Sequence, residues 1–289
     1  MSTLRTVKTV IPAQKVNMGG HLLDQPLPAQ GMDYVDPFLL IHHWESTLPG
    51  GQHQRDVGVG PHPHRGFSPV TFVYKGNVEH RDSLGNNAIV SEGGTQWMFA
   101  GRGITHSERQ GRDLAENGGE VEFIQFWVNA PSDKKMEQAF YKPISKEDTP
   151  LVEGPKSKIW VVSGEFNGTK GAAPTYSPQT LLRGELEAGG EVTIPLPKNY
   201  NALLYLLDGG LVASGKELRR KDMAVFYNDG EEIRITASEN TRFMLLSGEP
   251  LNEAVMSYGP FVMTNETEIL EALRDSQMGK MGVLIEEFN

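Results

Sequence analysis

The chain contains no cysteine. That absence excludes disulfide frameworks, thiolate zinc sites and cysteine nucleophiles, and it fits a reducing, cytoplasmic setting. No run approaches the ~20 apolar residues that cross a bilayer, so no membrane span is expected. The opening MSTLRTVKTV lacks the apolar core of a secretory signal. Cationic side chains are in deficit, with 27 lysines and arginines against 37 aspartates and glutamates and a net charge of −10. Non-specific nucleic-acid binding depends on cationic contacts to phosphate, so a direct nucleic-acid role is not expected. Histidine is missing from the 183 residues that follow His106; all eight lie between positions 21 and 106.

What is present is the vocabulary of an all-β protein. The 289 residues are enough for two domains at roughly 150 residues each. Glycine (32) and proline (18) are plentiful and apolar runs are short. Val70-Thr71-Phe72-Val73-Tyr74 and Phe123-Ile124-Gln125-Phe126-Trp127-Val128 are β-branched and aromatic, with turn signals such as Leu84-Gly85-Asn86-Asn87 and Asn228-Asp229-Gly230 between such runs. This pattern predicts short strands in sandwiches or barrels. Val70 to Gly76 resembles Leu203 to Gly209, and Gln96 to Phe99 falls where Met223 to Phe226 falls in the second half. A repeat of that kind predicts two similar barrels. Residues 131–158, with four prolines and clustered charges, read as a connection with one helical turn. The expected division is therefore a domain over 1–135 and a second over 136–289. Near the end, Asn265 is placed to cap a short helix, with Glu268 three residues on and Ile269, Leu270 and Leu273 as its apolar stripe.

The histidines carry the chemistry. On a strand, residues i and i+2 share a face, so His62 and His64 can enter a barrel together. His106 and Glu108 repeat that spacing 42 positions beyond His64. Three imidazoles and a carboxylate suit a divalent first-row metal with open coordination positions. Gly101 and Gly103 flank Arg102 just before the second pair, and their conformational freedom allows a turn that aims the strand inward. His42-His43 is expected at the surface, His21 and His53 in loops without partners, and His80 with Asp82 in a structural role.

These residues sit in two long motifs, His62-Pro63-His64-Arg65-Gly66-Phe67 and the stretch Gln96-Trp97-Met98-Phe99-Ala100-Gly101-Arg102-Gly103-Ile104-Thr105-His106-Ser107-Glu108. Supporting matches are Asp36-Pro37-Phe38-Leu39, His80-Arg81-Asp82-Ser83-Leu84-Gly85, Phe126-Trp127-Val128-Asn129 and Ser163-Gly164-Glu165. In them the sequence resembles the pirin family of the cupin superfamily, closest to bacterial pirin-like proteins, some of which are quercetin 2,3-dioxygenases. The resemblance spans nearly the whole chain and is dense from about Asp36 to Asn129. It implies a bicupin: two double-stranded β-helix (jelly-roll) barrels with a short C-terminal helix, the first holding one metal and the second none.

By the same resemblance, His62, His64, His106 and Glu108 are the metal ligands. Iron(II) is the expected ion, and manganese, cobalt, nickel, copper or zinc would also fit such a donor set. The implied activity opens the central ring of a flavonol such as quercetin with O2, Glu108 accepting the 3-hydroxyl proton. The alternative is a non-catalytic, iron-dependent redox sensor with a protein partner, as in animal pirin. Arg65 is read equally as a partner of a metal-bound imidazole or as a structural ion pair. Ser68 stands where many relatives carry a glutamate after the first motif, and segment 49–61 is longer than its pirin counterpart, which predicts a reshaped pocket mouth.

Overall fold

A computed structural model describes residues 3–288. Strands dominate, and two α-helices occur among these residues, Arg112–Asn117 and Glu266–Gln277. Among the described residues, no helix is long and apolar enough to cross a membrane.

The strands form two matching sets. In the first, a seven-stranded sheet runs in the order Phe140–Ile144, Thr95–Phe99, Phe67–Lys75, Gly119–Asn129, Phe38–Leu48, His21–Leu27, Gln14–Met18, accompanied by a four-stranded sheet Val59–His64, Ile104–Arg109, Asn77–Asp82, Asn87–Ser91. In the second, the order is Val7–Pro12, Asp222–Phe226, Asn201–Asp208, Thr241–Gly248, Gln179–Leu186, Ser157–Ser163, Leu151–Gly154, with Glu191–Pro195, Glu232–Ala237, Gly210–Ala213, Lys216–Arg219 beside it. Apart from the edge strands Phe140–Ile144 and Val7–Pro12, the chain visits corresponding strands in the same sequence, so each set is one jelly-roll barrel of the same design. The second closes on a continuous apolar interior. Leu182, Leu204 and Phe243 from its larger sheet join Ile194, Leu211 and Ile235 from its smaller one. Each such buried side chain contributes about 1.5–3 kcal/mol of transfer free energy, so this barrel is held by its own filling.

The repeat read from the sequence falls on equivalent strands, with one correction. Thr71 pairs with Gln96, and its equivalent Leu204 pairs with Ala224. Gln96 therefore corresponds to Ala224, one residue on from the Met223 that sequence alignment gives.

A single division at 135/136 does not describe the chain. One compact unit comprises the chain up to Val16, Asp24–Leu39 and Glu147–Leu251; the other comprises Asn17–Leu23, Leu40–Lys146 and the chain from Asn252. The cause is long-range pairing that local sequence does not display. Val7–Pro12 is an edge strand of the second barrel, antiparallel to Asp222–Phe226. Buried Arg5 reinforces it by donating to the carbonyls of Tyr200 (2.6 Å) and Pro197 (2.6 Å). At the other end, Val262 N–H donates to Arg65 O at 3.1 Å in the first barrel. The expected connection 131–158 does contain one turn, closed by Lys135 N–H to Pro131 O at 3.1 Å. It then forms Phe140–Ile144 and Leu151–Gly154, each at the edge of a seven-stranded sheet. Pro143 is tolerated there because an edge strand can lack a donor on one side.

The C-terminal helix is capped as expected, Asn265 Oδ1 accepting from Glu268 N–H at 3.0 Å. Glu268 reaches back to the Thr264 N–H at 2.9 Å. Its stripe is Ile269, Ala272 and Leu273; Leu270 is exposed, because at 3.6 residues per turn it points about 100° away from Ile269.

Candidate metal centre

The strands Val59–His64 and Ile104–Arg109 are antiparallel neighbours, with His106 opposite His62 and Ile104 opposite His64. Alternation puts all three imidazoles on one face of the smaller sheet. Their ring centroids lie 4.8 Å (His62–His64), 4.4 Å (His62–His106) and 5.0 Å (His64–His106) apart. One ring nitrogen from each lies within 4.8 Å of the other two, so the three could hold a metal ion.

Glu108 is not in that group. The register slips between His106 and Glu108, leaving Glu108 opposite Val59. The extra residue of this bulge lies on the Val59–His64 strand; Ile104–Arg109 keeps regular register with Asn77–Asp82, so Glu108 stays on the same face as His106. The Glu108 carboxylate instead accepts from Gln125 Nε2 at 2.8 and 3.0 Å and from Thr71 Oγ1 at 3.3 Å. Trp127 Nε1 in turn donates to Gln125 Oε1 at 3.3 Å. The carboxylate lines the same cavity as His62 and His64 but is oriented by the facing sheet.

The ring nitrogens are already sorted. His62 Nδ1 bonds Gly60 O at 2.8 Å, and His64 Nδ1 bonds Pro260 O at 3.2 Å. A carbonyl only accepts, so both Nδ1 atoms carry the proton and each Nε2 is left with its lone pair. His106 Nδ1 faces His80 Nδ1 at 3.3 Å. Its Nε2 is buried with no hydrogen-bond partner. A buried lone nitrogen beside two other available imidazole nitrogens is what a metal would satisfy, so the residues present fit such an ion. Burial pushes His64 and His106 well below the ordinary imidazole value, and neighbouring imidazoles add to it. Both are therefore neutral and able to donate a lone pair at pH 7.

Above the triad lies a cavity of about 430 Å³, lined among others by Met18, His21, Val59, Glu108, Trp127 and Pro260. Its size is that of a small-molecule site. Trp127 forms an aromatic wall, packed on Phe67 (ring centroids 4.3 Å) and near His64 (5.6 Å). Segment 49–61 contributes Gly58, Val59 and Gly60 to the rim. Gly58 has φ +76°, and a Cβ there would sit 2.4 Å from Glu108 O, so any side chain would push the site strand away. Gly101, at φ +46°, is equally constrained, since its Cβ would lie 2.2 Å from Glu137 O.

Several side chains are placed differently from expectation. His43 is not at the surface; it is fully buried and pairs with Glu122 at 3.2 Å. Its neighbour His42 is partly buried, and burial lowers its pKa to about 4. His21 opens a strand and packs edge-on against Trp44 at 5.0 Å. His53 caps a 3-10 turn, accepting from Arg55 N–H at 3.2 Å. Arg65 is structural: it donates to Arg102 O at 2.7 Å and pairs with Asp275 at 3.1 Å. Ser68 is buried in the larger sheet and does not line the cavity. His80 and Asp82 do touch the site, through the His106–His80 contact and a 2.9 Å bond from His80 Nε2 to Asp82 Oδ2. The i, i+2 spacing was the available signal; that their strand lies next to His106 was not visible in it.

The second barrel supplies an internal comparison. Its pairing register puts Val192 and Ile194 in the positions of His62 and His64, and Ile235 and Ala237 in those of His106 and Glu108. The equivalents of His80 and Asp82 are Leu211 and Ala213. Those of Thr71 and Gln125 are Leu204 and Leu245. Every polar group of the site is aliphatic there, and all eight replacements belong to one core.

Comparison with known proteins places these features in context. The family model for pirin matches residues 20–128, and that for the pirin C-terminal cupin domain matches residues 181–282. A Pseudomonas aeruginosa protein provisionally named a quercetin 2,3-dioxygenase is 36% identical over 250 residues, covering 86% of this chain and 87% of that one. A quercetin 2,3-dioxygenase structure from Acinetobacter baumannii superposes with a TM-score of 0.92 at 35% identity, covering 98% of this chain and 100% of that one. A bacterial pirin of Escherichia coli, solved in complex with nickel(II), shares the fold at a TM-score of 0.66 and 20% identity, over 86% of this chain and 100% of that one.

Proposed function

The chain belongs to the pirin family, a bicupin fold, and on that footing we propose that it is a metal-dependent dioxygenase opening the central ring of a flavonol such as quercetin. The observation that carries the reading is the convergence of three imidazoles, two of them held by carbonyls with Nε2 free and the third with a buried, unpartnered Nε2, below an aromatic-walled cavity that also holds a carboxylate. His62, His64 and His106 would hold the ion through Nε2, and iron(II) is the metal we assign. When bound, such an ion supplies Lewis acidity toward the flavonol 3-hydroxyl and redox chemistry toward O2.

The protein's own groups do the rest. Trp127 and Met18 give a flat ring system apolar surface to lie against. Glu108, held as an acceptor by Gln125 and Thr71, takes the 3-hydroxyl proton. Alternatively it leaves those donors and becomes a fourth ligand. Both atoms of O2 enter the product as the ring opens, and one ring carbon leaves as carbon monoxide. A cytoplasmic setting suits a cysteine-free chain.

The regulatory reading would need a free basic patch by the triad. Arg81 and Arg109, the nearest cations in sequence to His80 and Glu108, are instead paired with Glu79 (2.8 Å) and Glu286 (2.8 Å). The deciding assay is incubation of iron-loaded protein with quercetin under air. We expect loss of flavonol absorbance with matching release of carbon monoxide; neither appearing at substrate concentrations up to saturation would reject the activity.

A further inference from the structure

His80 and Asp82 are buried to within 1% and 3% of full enclosure, yet no step above uses them. A buried imidazole and carboxylate need a reason, and their bonds supply one. Asp82 is fixed as an acceptor on every side. Its Oδ1 accepts the backbone N–H groups of Leu84 (2.9 Å) and Asn86 (3.0 Å), and its Oδ2 accepts Asn86 Nδ2 (2.8 Å). The remaining bond, from His80 Nε2 at 2.9 Å, must therefore be donated by His80. With its proton on Nε2, His80 presents a bare Nδ1 to His106 Nδ1, 3.3 Å away. That contact is a hydrogen bond only if His106 is the donor. The proton of His106 is then on Nδ1 and its buried Nε2 is free. The His80 ring has little freedom to turn, being stacked on Tyr141 at 3.7 Å with 3° between the planes.

Resting on the metal reading of the triad, we infer that Asp82 and His80 are positioning residues that set the tautomer of His106, and so decide whether it can bind metal. His62 and His64 reach the same state through a backbone carbonyl each; His106 alone depends on side chains two links deep. The second barrel fits this account, having lost Asp82 and His80 together with the triad, as Ala213 and Leu211.

The test compares three variants with the unchanged protein, reading Co2+ affinity from the cobalt absorption bands and the melting temperature of each metal-free form. His80→Phe keeps the stack but removes the acceptor. Asp82→Asn keeps the shape but turns an amide NH2 toward His80 Nε2; this reverses the relay and puts the His106 proton on Nε2. His80→Asn places an amide oxygen near the position of Nδ1 and restores the acceptor. We expect Co2+ to bind about 10- to 100-fold more weakly to the first two, the range typical of lost outer-shell partners. The third should recover to within about threefold of the unchanged protein. Equal affinity across the series, with or without lower melting temperatures, overturns the inference and leaves the triad reading intact. Failure of the unchanged protein to bind Co2+ overturns both. Should His80→Phe not fold, Asp82→Asn against His80→Asn decides the same question.

Discussion

Neutral histidines buried or half-buried in a β-barrel make the metal-free protein acid-sensitive in a defined window. Burial holds His64 and His106 well below the ordinary imidazole value and His42 at about 4. In the unfolded chain all three titrate near 6.5. Their folded pKa values are depressed below the unfolded ones, so on acidification through pH 6.5 the unfolded state takes up protons that the folded state refuses. Stability is thus intact above pH 6.5 and falls below it. Each group loses about 1.4 kcal/mol between pH 7.5 and 5.5, giving roughly 4 kcal/mol for three, a large share of a typical 5–15 kcal/mol. Carboxylates such as Asp24, Asp82 and Asp275 also have lowered values, but theirs lie at or below the ordinary carboxylate range, so their losses come at more acid pH. The assay is urea unfolding of chelator-treated protein at both pH values, repeated with His64→Ile. That substitution mimics Ile194, the aliphatic residue already packed at the equivalent position of the second barrel, and should remove about a third of the drop. A drop below about 1 kcal/mol in the parent, or the same drop in the variant, would refute the reasoning.

Other outcomes follow from single contacts. Replacing His62 and His64 together with alanine should abolish metal retention, measured by elemental analysis after native purification; full retention would remove the triad as the site. Gln125→Leu leaves Glu108 held by Thr71 alone and should lower kcat for quercetin on the order of tenfold with KM little changed, as for a group acting on the proton-accepting carboxylate rather than on substrate binding. Lys135→Met strips the donor shared by Gly66 O (2.7 Å), Asn129 Oδ1 (2.6 Å) and Val262 O (3.0 Å). Three buried acceptors left unpaired should cost about 3 kcal/mol or more, seen as a lower urea midpoint.

Local features of the fold were legible because local physics fixes them. Alternating β-branched runs between glycine turns become strands wherever they occur, and Asn265 with Glu268 builds a helix cap from four consecutive residues. His62, His64 and His106 were legible for the same reason, since a two-residue period on neighbouring strands puts them on one face. Long-range pairing was not legible. Nothing in Val7 to Pro12 announces that it completes the second barrel, and nothing in the chain after Asn252 announces a return to the first. Glu108 shows how narrow the limit is. Its spacing from His106 is right for a shared face and the two do share one, but its carboxylate is held by Gln125 and Thr71 of the facing sheet, which local spacing does not show. His43 failed differently: alternation correctly sends it to the face opposite His42, but that face is buried too, and Glu122 waits there.

The two barrels together separate what the fold requires from what the chemistry requires. Both have the same strand order, so any residue type needed to build the barrel should recur at equivalent positions. Aliphatic residues at these positions are enough to build it, since the second barrel fills its centre with Leu204, Leu245, Ile194 and Ile235. The eight polar residues of the first barrel fail that test. Thr71, Gln125, His80 and Asp82 are as absent from the second barrel as His62, His64, His106 and Glu108, although only the last four resemble ligands by sequence. Apolar packing at these positions is thus sufficient for folding and more favourable than buried polar groups, one of which, His106 Nε2, has no partner. The first barrel tolerates that cost over all eight positions together. Thr71 with Gln125 and His80 with Asp82 therefore belong to the site as two supports, one orienting the carboxylate and the other the third imidazole.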